Sequence, residues 1–261
     1  EGNQLPYIDR YYVKVVENAE MIEAKIMTGE VDFEGQYVTL GNYPLYMENA
    51  EKADYRVLLY DNSYSSNVWI QWNQTCKDPV LREIFQDVRF RRALSLAIDR
   101  EEISEVLFFG LAEPRQISVL DDSMYFEPEF ATAYIEYEPE RANRLLDAMG
   151  LEWDENQEYR LRPDGERLAA ILEYCVMEPT ETPVLEMVKE YWKKVGFLIT
   201  LKQEDGGLYS TRLQANKVQI GEHQACGATD VTFFQWAQTW FPIAFSWEST
   251  WGLGWAAWYV T

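Results

Sequence analysis

From Leu168 to Cys226 the apolar positions change period four times, as they do where strands alternate with helices. Leu168–Cys175 is a short, mostly apolar run and predicts a strand. Pro183–Val195 then carries Val184, Met187, Val188, Tyr191, Trp192 and Val195 at the three- and four-residue spacing of one helix face. Gly196 is placed to end that helix. Phe197–Leu201 predicts a second strand, Leu208–Asn216 a short helix, and Val218–Cys226 a third strand. This alternation predicts an α/β layer, a sheet with helices packed on it.

Upstream, Ile8–Glu17 (IDRYYVKVVE) is β-branched and aromatic with partial alternation, and predicts a strand. A helix is expected over Asn18–Thr28 with Gly29 at its C-terminal cap, then strands at Val31–Phe33, Tyr55–Tyr60 and Asn67–Trp72. Asp87–Ile98 (DVRFRRALSLAI) is the clearest helix. Its stripe is Val88, Ala93, Leu94, Ala97 and Ile98, with Arg89, Arg91 and Arg92 on the other face. Asp99, with Glu102 three residues on, forms a capping box for a following helix that stops near Gly110. Residues 111–137 have no period and predict an ordered loop. Pro139 opens a helix with Ala142, Leu145, Leu146 and Met149 on its buried face, ended by Gly150. Residues 154–165 predict a polar turn or small hairpin. No repeat, low-complexity segment or shift in composition marks a linker.

Charge narrows the range of partners. Forty-four acidic against 23 basic residues leave a net charge of -21, spread along the chain. Such a surface repels phosphate backbones and anionic lipid, so neither nucleic acid nor a membrane surface is an expected partner. The three cysteines, Cys76, Cys175 and Cys226, lie far apart without a C-x-x-C, which speaks against a metal cluster or a disulfide framework. The chain opens on the polar Glu1-Gly2-Asn3-Gln4 with no secretory signal, and no run of eighteen apolar residues exists to cross a bilayer.

Catalytic chemistry finds little purchase. His223 is the only histidine, so every Ser-His or Cys-His couple would need it. Cys226, three residues on along an expected strand, falls on the opposite face. No nucleophile elbow, H-E-x-x-H, P-loop or G-x-G-x-x-G occurs. The carboxylate pairs Asp121-Asp122 and Glu204-Asp205 suit glycosidase work in principle, but 44 acidic residues produce such pairs by chance. Asn73-Gln74-Thr75 fits a glycosylation sequon at chance frequency. No catalytic residue, metal or cofactor is expected.

The last thirty residues stand apart. Six of the ten tryptophans lie there, Trp236, Trp240, Trp247, Trp251, Trp255 and Trp258, spaced by 4, 7, 4, 4 and 3. That spacing is roughly helical, while Pro242, Gly252 and Gly254 oppose one continuous helix. Core aromatics, a wall on which a ligand stacks and a surface left uncovered by truncation are the three readings.

One phrase is specific. FQDVRFRRALSLAIDREEISEVLFFGLAEP, Phe85 to Pro114, resembles the signature of the family 5 extracellular solute-binding proteins, receptors for oligopeptides, dipeptides, nickel and oligosaccharides. LPYIDRYYVKVVENAEMIEAKIMTGEVDF, YEPERANRLLDAMGL and LEMVKEYWKKVGFLITLKQED resemble further phrases of that family, in the same order, over nearly residues 5 to 230. In the second, Glu138 replaces the usual Asp, a weaker helix cap. The resemblance implies a periplasmic-binding-protein-like type II lobe, a mixed sheet with helices packed on it. It implies that residues 1–261 are the C-terminal ligand-binding lobe of a two-lobed protein, without the first lobe and the C-terminal return.

Such receptors close two lobes around a ligand and dock on a membrane permease, part of an importer driven by an ATP-binding cassette. The resemblance therefore implies an extracytoplasmic location, periplasmic or lipid-anchored. The membrane is met only through the permease or the anchor. In peptide-binding members a carboxylate on this lobe meets the ligand α-amino group, and the matching segment, Ala225–Asp230 (ACGATD), points to Asp230. Sugar-binding members use tryptophan platforms, for which Trp69, Trp72, Trp236 and Trp240 are the candidates, with at most one of Trp69 and Trp72 facing a given cleft. Oligopeptide and oligosaccharide both stay open as ligands. The competing readings are an acidic, aromatic-rich glycoside hydrolase, opposed by the missing motifs, and a carbohydrate-binding or adhesion module, opposed by the helix content.

Overall fold

The computed structural model describes residues 6–35, 38–59 and 63–261. The backbone divides into two compact units, Glu1–Tyr60 and Asp61–Thr261, although composition does not change at that point.

In the first unit α1 (Ala19–Met27) starts where Asn18 accepts from the Met21 amide, and α2 (Tyr43–Ala53) carries Pro44 in its first turn. The helices meet at Gly29, where φ is +73° and a Cβ would stand 2.7 Å from the Ala53 carbonyl oxygen. Only glycine suits both demands. The strands expected at Ile8–Glu17 and Val31–Phe33 do not form, and residues 55–59 are not a strand either; Tyr60 lies outside the described residues. A strand needs a ladder, and no described residue of this unit supplies one. Ile8, Tyr11, Val13 and Val15 remain exposed, Val15 at 95%. β propensity describes a surface that packs against neighbours, and without neighbours it decides nothing.

The second unit carries the expected α/β layer. Its sheet has the order β1-β4-β2-β3, from β1 (Ser66–Trp72), β2 (Ala169–Tyr174), β3 (Leu198–Gln203) and β4 (Ile220–Ala225). The last three are parallel, and β1 runs antiparallel to β4 with Trp69 opposite His223 and Trp72 opposite Ile220. The sheet is mixed, as expected. Helices α3 (Pro79–Gln86), α4 (Val88–Leu96) and α5 (Arg100–Phe108) follow β1, then the short α6 (Pro128–Thr132) and α7 (Pro139–Asp147). The crossover from β2 to β3 is α8 (Glu181–Lys194), and that from β3 to β4 is α9 (Gly206–Gln214).

Sequence explains most of the helix ends. Asp78 and Asp87 accept from the first free amides of α3 and α4, and Pro79 occupies the position where no N–H is needed. Only half of the Asp99 capping box forms: Asp99 accepts from the Glu102 amide, but Glu102 turns to the Tyr191 hydroxyl at 2.6 Å instead of reaching back. Glu138 makes no side-chain cap to α7, as its extra methylene implies, and pairs with Arg141. Residues 154–165 form a small hairpin, bridging Trp153 to Arg160 and Leu161 to Arg167.

Arg160 ties this hairpin to the helices. It is fully buried, stacks on Trp153, pairs with Asp147, and donates to Asn143 and to the carbonyls of Leu151 and Val195. On the α8 side of the sheet lies the aromatic core of Trp72, Phe85, Phe90, Trp192 and Phe197. On the opposite side Tyr209, Leu213, Val218 and Leu253 form a second cluster, with Trp247 against it.

The tryptophan-rich segment breaks into short pieces, as its Pro and Gly residues foretell. They are α10 (Asp230–Gln235), two 3-10 turns at Ala237–Thr239 and Trp247–Gly252, and α11 (Leu253–Val260). Its tryptophans differ widely in burial and partners. Trp247 is core, donating to Ser210 and edge-on to Tyr209 and His223. Trp240 belongs to the aromatic surface described next, and Trp258 is 81% exposed.

Candidate ligand-binding site

Parallel strands β2 and β4 both end on the same edge of the sheet, the edge from which ligand loops of open α/β sheets spring. Beyond β4 the chain turns at Gly227, where φ is +79°; a Cβ there would lie 3.2 Å from the Trp236 Cβ and 3.3 Å from the Trp240 Nε1. Thr229 and Thr232 cap α10 reciprocally, and Asp230 is its first residue. The Asp230 carboxylate accepts from the Ser123 hydroxyl at 2.5 Å and the Met124 amide at 3.1 Å. Leu120, in the same loop, donates to the Ala228 carbonyl at 2.9 Å. These bonds cross more than 100 residues of sequence and hold an exposed carboxylate in a set direction.

Beside Asp230 stands a stack of three rings. Phe233 lies 5.1 Å from Tyr125 and 5.8 Å from Trp240, at interplanar angles of 26° and 20°. Phe234 meets the first two edge-on. The Trp240 indole donates to the Gly227 carbonyl at 3.2 Å, which fixes its plane. Asp230, Trp236 and Trp240 are thus brought together by one turn.

The other two candidates lie elsewhere. Trp69 and Trp72 sit on opposite faces of β1, because its bulge falls between Ser66 and Trp69 and not between the two tryptophans. Trp72 belongs to the aromatic core, 5.0 Å from Trp192. Trp69 is half-buried across from His223.

Inward of the site lies a group that sequence reasoning missed. Glu222 projects from β4 and Glu181 from the first turn of α8, each 1% exposed. Among the described residues neither Glu222 oxygen and only one Glu181 oxygen has a hydrogen-bond partner. Burial pushes Glu222 up to about 9, with the Glu181 charge adding to the effect. Burial also raises Glu181 and Glu178. The signal was present: a Glu at the same parity as Ile220 on a strand, hence facing the core. On the reverse face His223 lies 3.4 Å from Glu248. Burial opposes ionisation of Glu248, but His223 and Ser246 outweigh it and hold the carboxyl below its ordinary value.

Of the carboxylate pairs open to a hydrolytic reading, Asp121 pairs with Arg115, Glu204 with Lys202, and Asp205 caps α9. Asn73 of the sequon is fully buried, bonded to Asn216 and the Val218 carbonyl. All three cysteines are free. Among the described residues no three side chains could hold a metal ion, and no helix is long and apolar enough to cross a membrane.

Residues 2–252 match the bacterial extracellular solute-binding proteins, family 5 middle region, and the chain belongs to that family. The oligopeptide-binding protein AppA of Bacillus subtilis is 27% identical over 191 residues, covering 73% of this chain and 33% of that protein. The periplasmic alpha-galactoside-binding protein of Rhizobium meliloti is 23% identical, covering 78% and 31%. Among solved structures, an oligopeptide-binding protein OppA superposes with a TM-score of 0.77 at 40% identity, over 93% of this chain and 38% of that one. The stachyose complex of the periplasmic binding protein MelB from Agrobacterium fabrum shares the fold, with a TM-score of 0.71 at 15% identity over 89% and 37%. The chain spans about a third of the length of these relatives.

Proposed function

We propose that this chain forms a ligand-binding part of the solute-binding component of an ATP-binding-cassette importer, and that the ligand is an oligopeptide held by its α-amino group at Asp230. The carrying observation is the exposed Asp230 carboxylate, oriented by Ser123 and Met124 beside the Tyr125–Phe233–Trp240 stack. A carboxylate with fixed direction matches an ammonium group, and the rings offer apolar area to the first side chains. An oligosaccharide is the second reading, favoured by the aromatic surface, since a pyranose presents an apolar face to a ring. In either case the whole protein closes on its ligand, hands it unchanged to a permease, and works outside the cytoplasmic membrane.

Calorimetric titration of the full-length protein tests this. A charge-assisted bond is worth about 1.5–3 kcal/mol. Asp230→Asn should therefore weaken binding of free-amino oligopeptides by about ten- to a hundredfold, and leave N-acetylated peptides unaffected. Equal binding of free and acetylated peptides by the unaltered protein, or binding of oligosaccharides alone, would overturn the assignment.

A further inference from the structure

Elsewhere in this fold buried charge meets its opposite. Arg160, fully buried, pairs with Asp147, and Glu173, 1% exposed, pairs with Arg212 and Lys202. Glu222 and Glu181 depart from that rule. Each is 1% exposed, and among the described residues neither finds a Lys or Arg. Both Glu222 oxygens and the Glu181 Oε1 also lack a hydrogen-bond partner there, while the Glu181 Oε2 accepts from the Met177 amide at 2.8 Å. An unpartnered buried carboxyl is costly, and a native fold keeps few of them.

The pair is the inner end of a file of carboxyls. Glu222 and Gln224 share the face of β4 that α8 covers, and Glu181 stands in the first turn of that helix. Glu178, exposed in the loop between β2 and α8, lies against Gln224. Burial holds all three toward the neutral form; the Glu178 charge then acts on Glu181, and the Glu181 charge on Glu222. Basic residues are absent from both segments that build this corner: neither 168–188 nor 218–261 contains a Lys or Arg.

We propose that Glu222 and Glu181 form a subsite for the charged end of a ligand side chain, the ammonium of a lysine or the guanidinium of an arginine within an oligopeptide, with Glu178 at its mouth. The inference rests on the oligopeptide reading above and adds a second charge to that ligand. Position supports it, since the file lies toward the same sheet edge from which the Asp230 loop springs. Glu222 is three residues inside the end of β4 at Ala225, roughly 10 Å along the strand. An α-amino group held at Asp230 has no such reach, whereas Lys and Arg carry their charge on a long apolar stem. Among the described residues no three acidic side chains converge as a metal ion requires, so the cation that fits is organic. Entry runs past Glu178 and Met177, both exposed. A cation between the two carboxyls would draw them back to the charged form and supply the missing partner. Groups that weaken a fold in this way are found where a site is set out for a ligand.

Calorimetric titration of the full-length protein tests this, with oligopeptides of one sequence that carry lysine, arginine or norleucine at each position in turn. At one position lysine or arginine should bind about ten- to a hundredfold more tightly than norleucine, which has the stem without the charge. Glu222→Gln should erase that preference and change affinity for the norleucine peptide little. Glu181→Gln should reduce the preference, while Asp230→Asn should weaken lysine and norleucine peptides alike. Without ligand, Glu222→Gln should raise the Tm. A fall instead would show that a cation from elsewhere in the polypeptide already occupies the pair, and would overturn the proposal. Equal binding of lysine, arginine and norleucine peptides at every position would also overturn it, as would a preference that survives both glutamine variants. A lysine preference abolished by Glu222→Gln, beside an Asp230→Asn variant without effect, would remove the α-amino assignment and keep this one. Binding of oligosaccharides alone would overturn both.

Discussion

Replacing Glu222 by glutamine should make the protein more stable, and more so as pH rises. Glu222 is buried, no described residue hydrogen-bonds either of its oxygens, and burial pushes it from 4.5 up to about 9. Between those values the folded protein holds a proton that the unfolded chain has released, so stability falls as pH climbs from about 4.5 to about 9. At pH 7 the proton is held some 2.5 pH units above the unfolded value, which costs about 3 kcal/mol at 1.36 kcal/mol per unit. Glutamine has nearly the same volume, has no proton to hold, and leaves a neutral polar group as unpartnered as before. Glu222→Gln should thus raise Tm by about 5–8 °C at pH 7 and only about 1–2 °C at pH 5. Calorimetric melts at half-unit steps from pH 5 to pH 8 would trace the difference. An equal or lower Tm at pH 7, or a gap that does not widen with pH, would refute the reasoning.

Trp72→Ala should lower stability by about 3–5 kcal/mol and leave ligand affinity in the folded protein unchanged, because Trp72 fills the aromatic core. Trp240→Ala should do the reverse, weakening ligand binding by about 1–3 kcal/mol, or tenfold to a hundredfold; paired melting and titration measurements separate the two. Arg160→Met should cost about 3–5 kcal/mol in chemical denaturation, since it strands Asn143 and the Leu151 and Val195 carbonyls around a buried gap. Gly221→Ala puts a methyl 2.5 Å from the Thr250 Cγ2 and 2.7 Å from the Tyr209 hydroxyl, so a loss of about 1–3 kcal/mol is expected, read as a fall in Tm.

The elements legible in the sequence are those whose signal is local. Helix α8 shows its period over fourteen residues, and Asp87 and Asp99 announce the starts of α4 and α5. Asp78-Pro79 announces α3 just as plainly, although the expected elements passed over it. Ile8–Glu17 has strand composition, but strand formation is a property of a pair, and no described residue pairs with it. The site shows the same limit. Strand parity separates Trp69 from Trp72, yet which face is core depends on Phe85, Trp192 and Phe197, up to 125 residues away. Asp230 was visible through resemblance, whereas the Ser123 and Met124 contacts that orient it come from 107 and 106 positions upstream.

The placement of β1 also fixes an order of events when the chain is made. Among the described residues the strand paired with β1 is β4, and Gln71 precedes its partner Gly221 by about 150 residues. At roughly 5–20 residues per second, a ribosome needs on the order of 8–30 s to deliver that partner. Throughout that interval a neutral strand carrying two tryptophans and an isoleucine waits for the β4 edge it pairs with here. Strands β2 and β3, separated only by α8, can pair long before. The nascent chain therefore holds this apolar segment without its β4 partner for that interval, and chaperone binding there should fall away once residues beyond Ala225 have emerged.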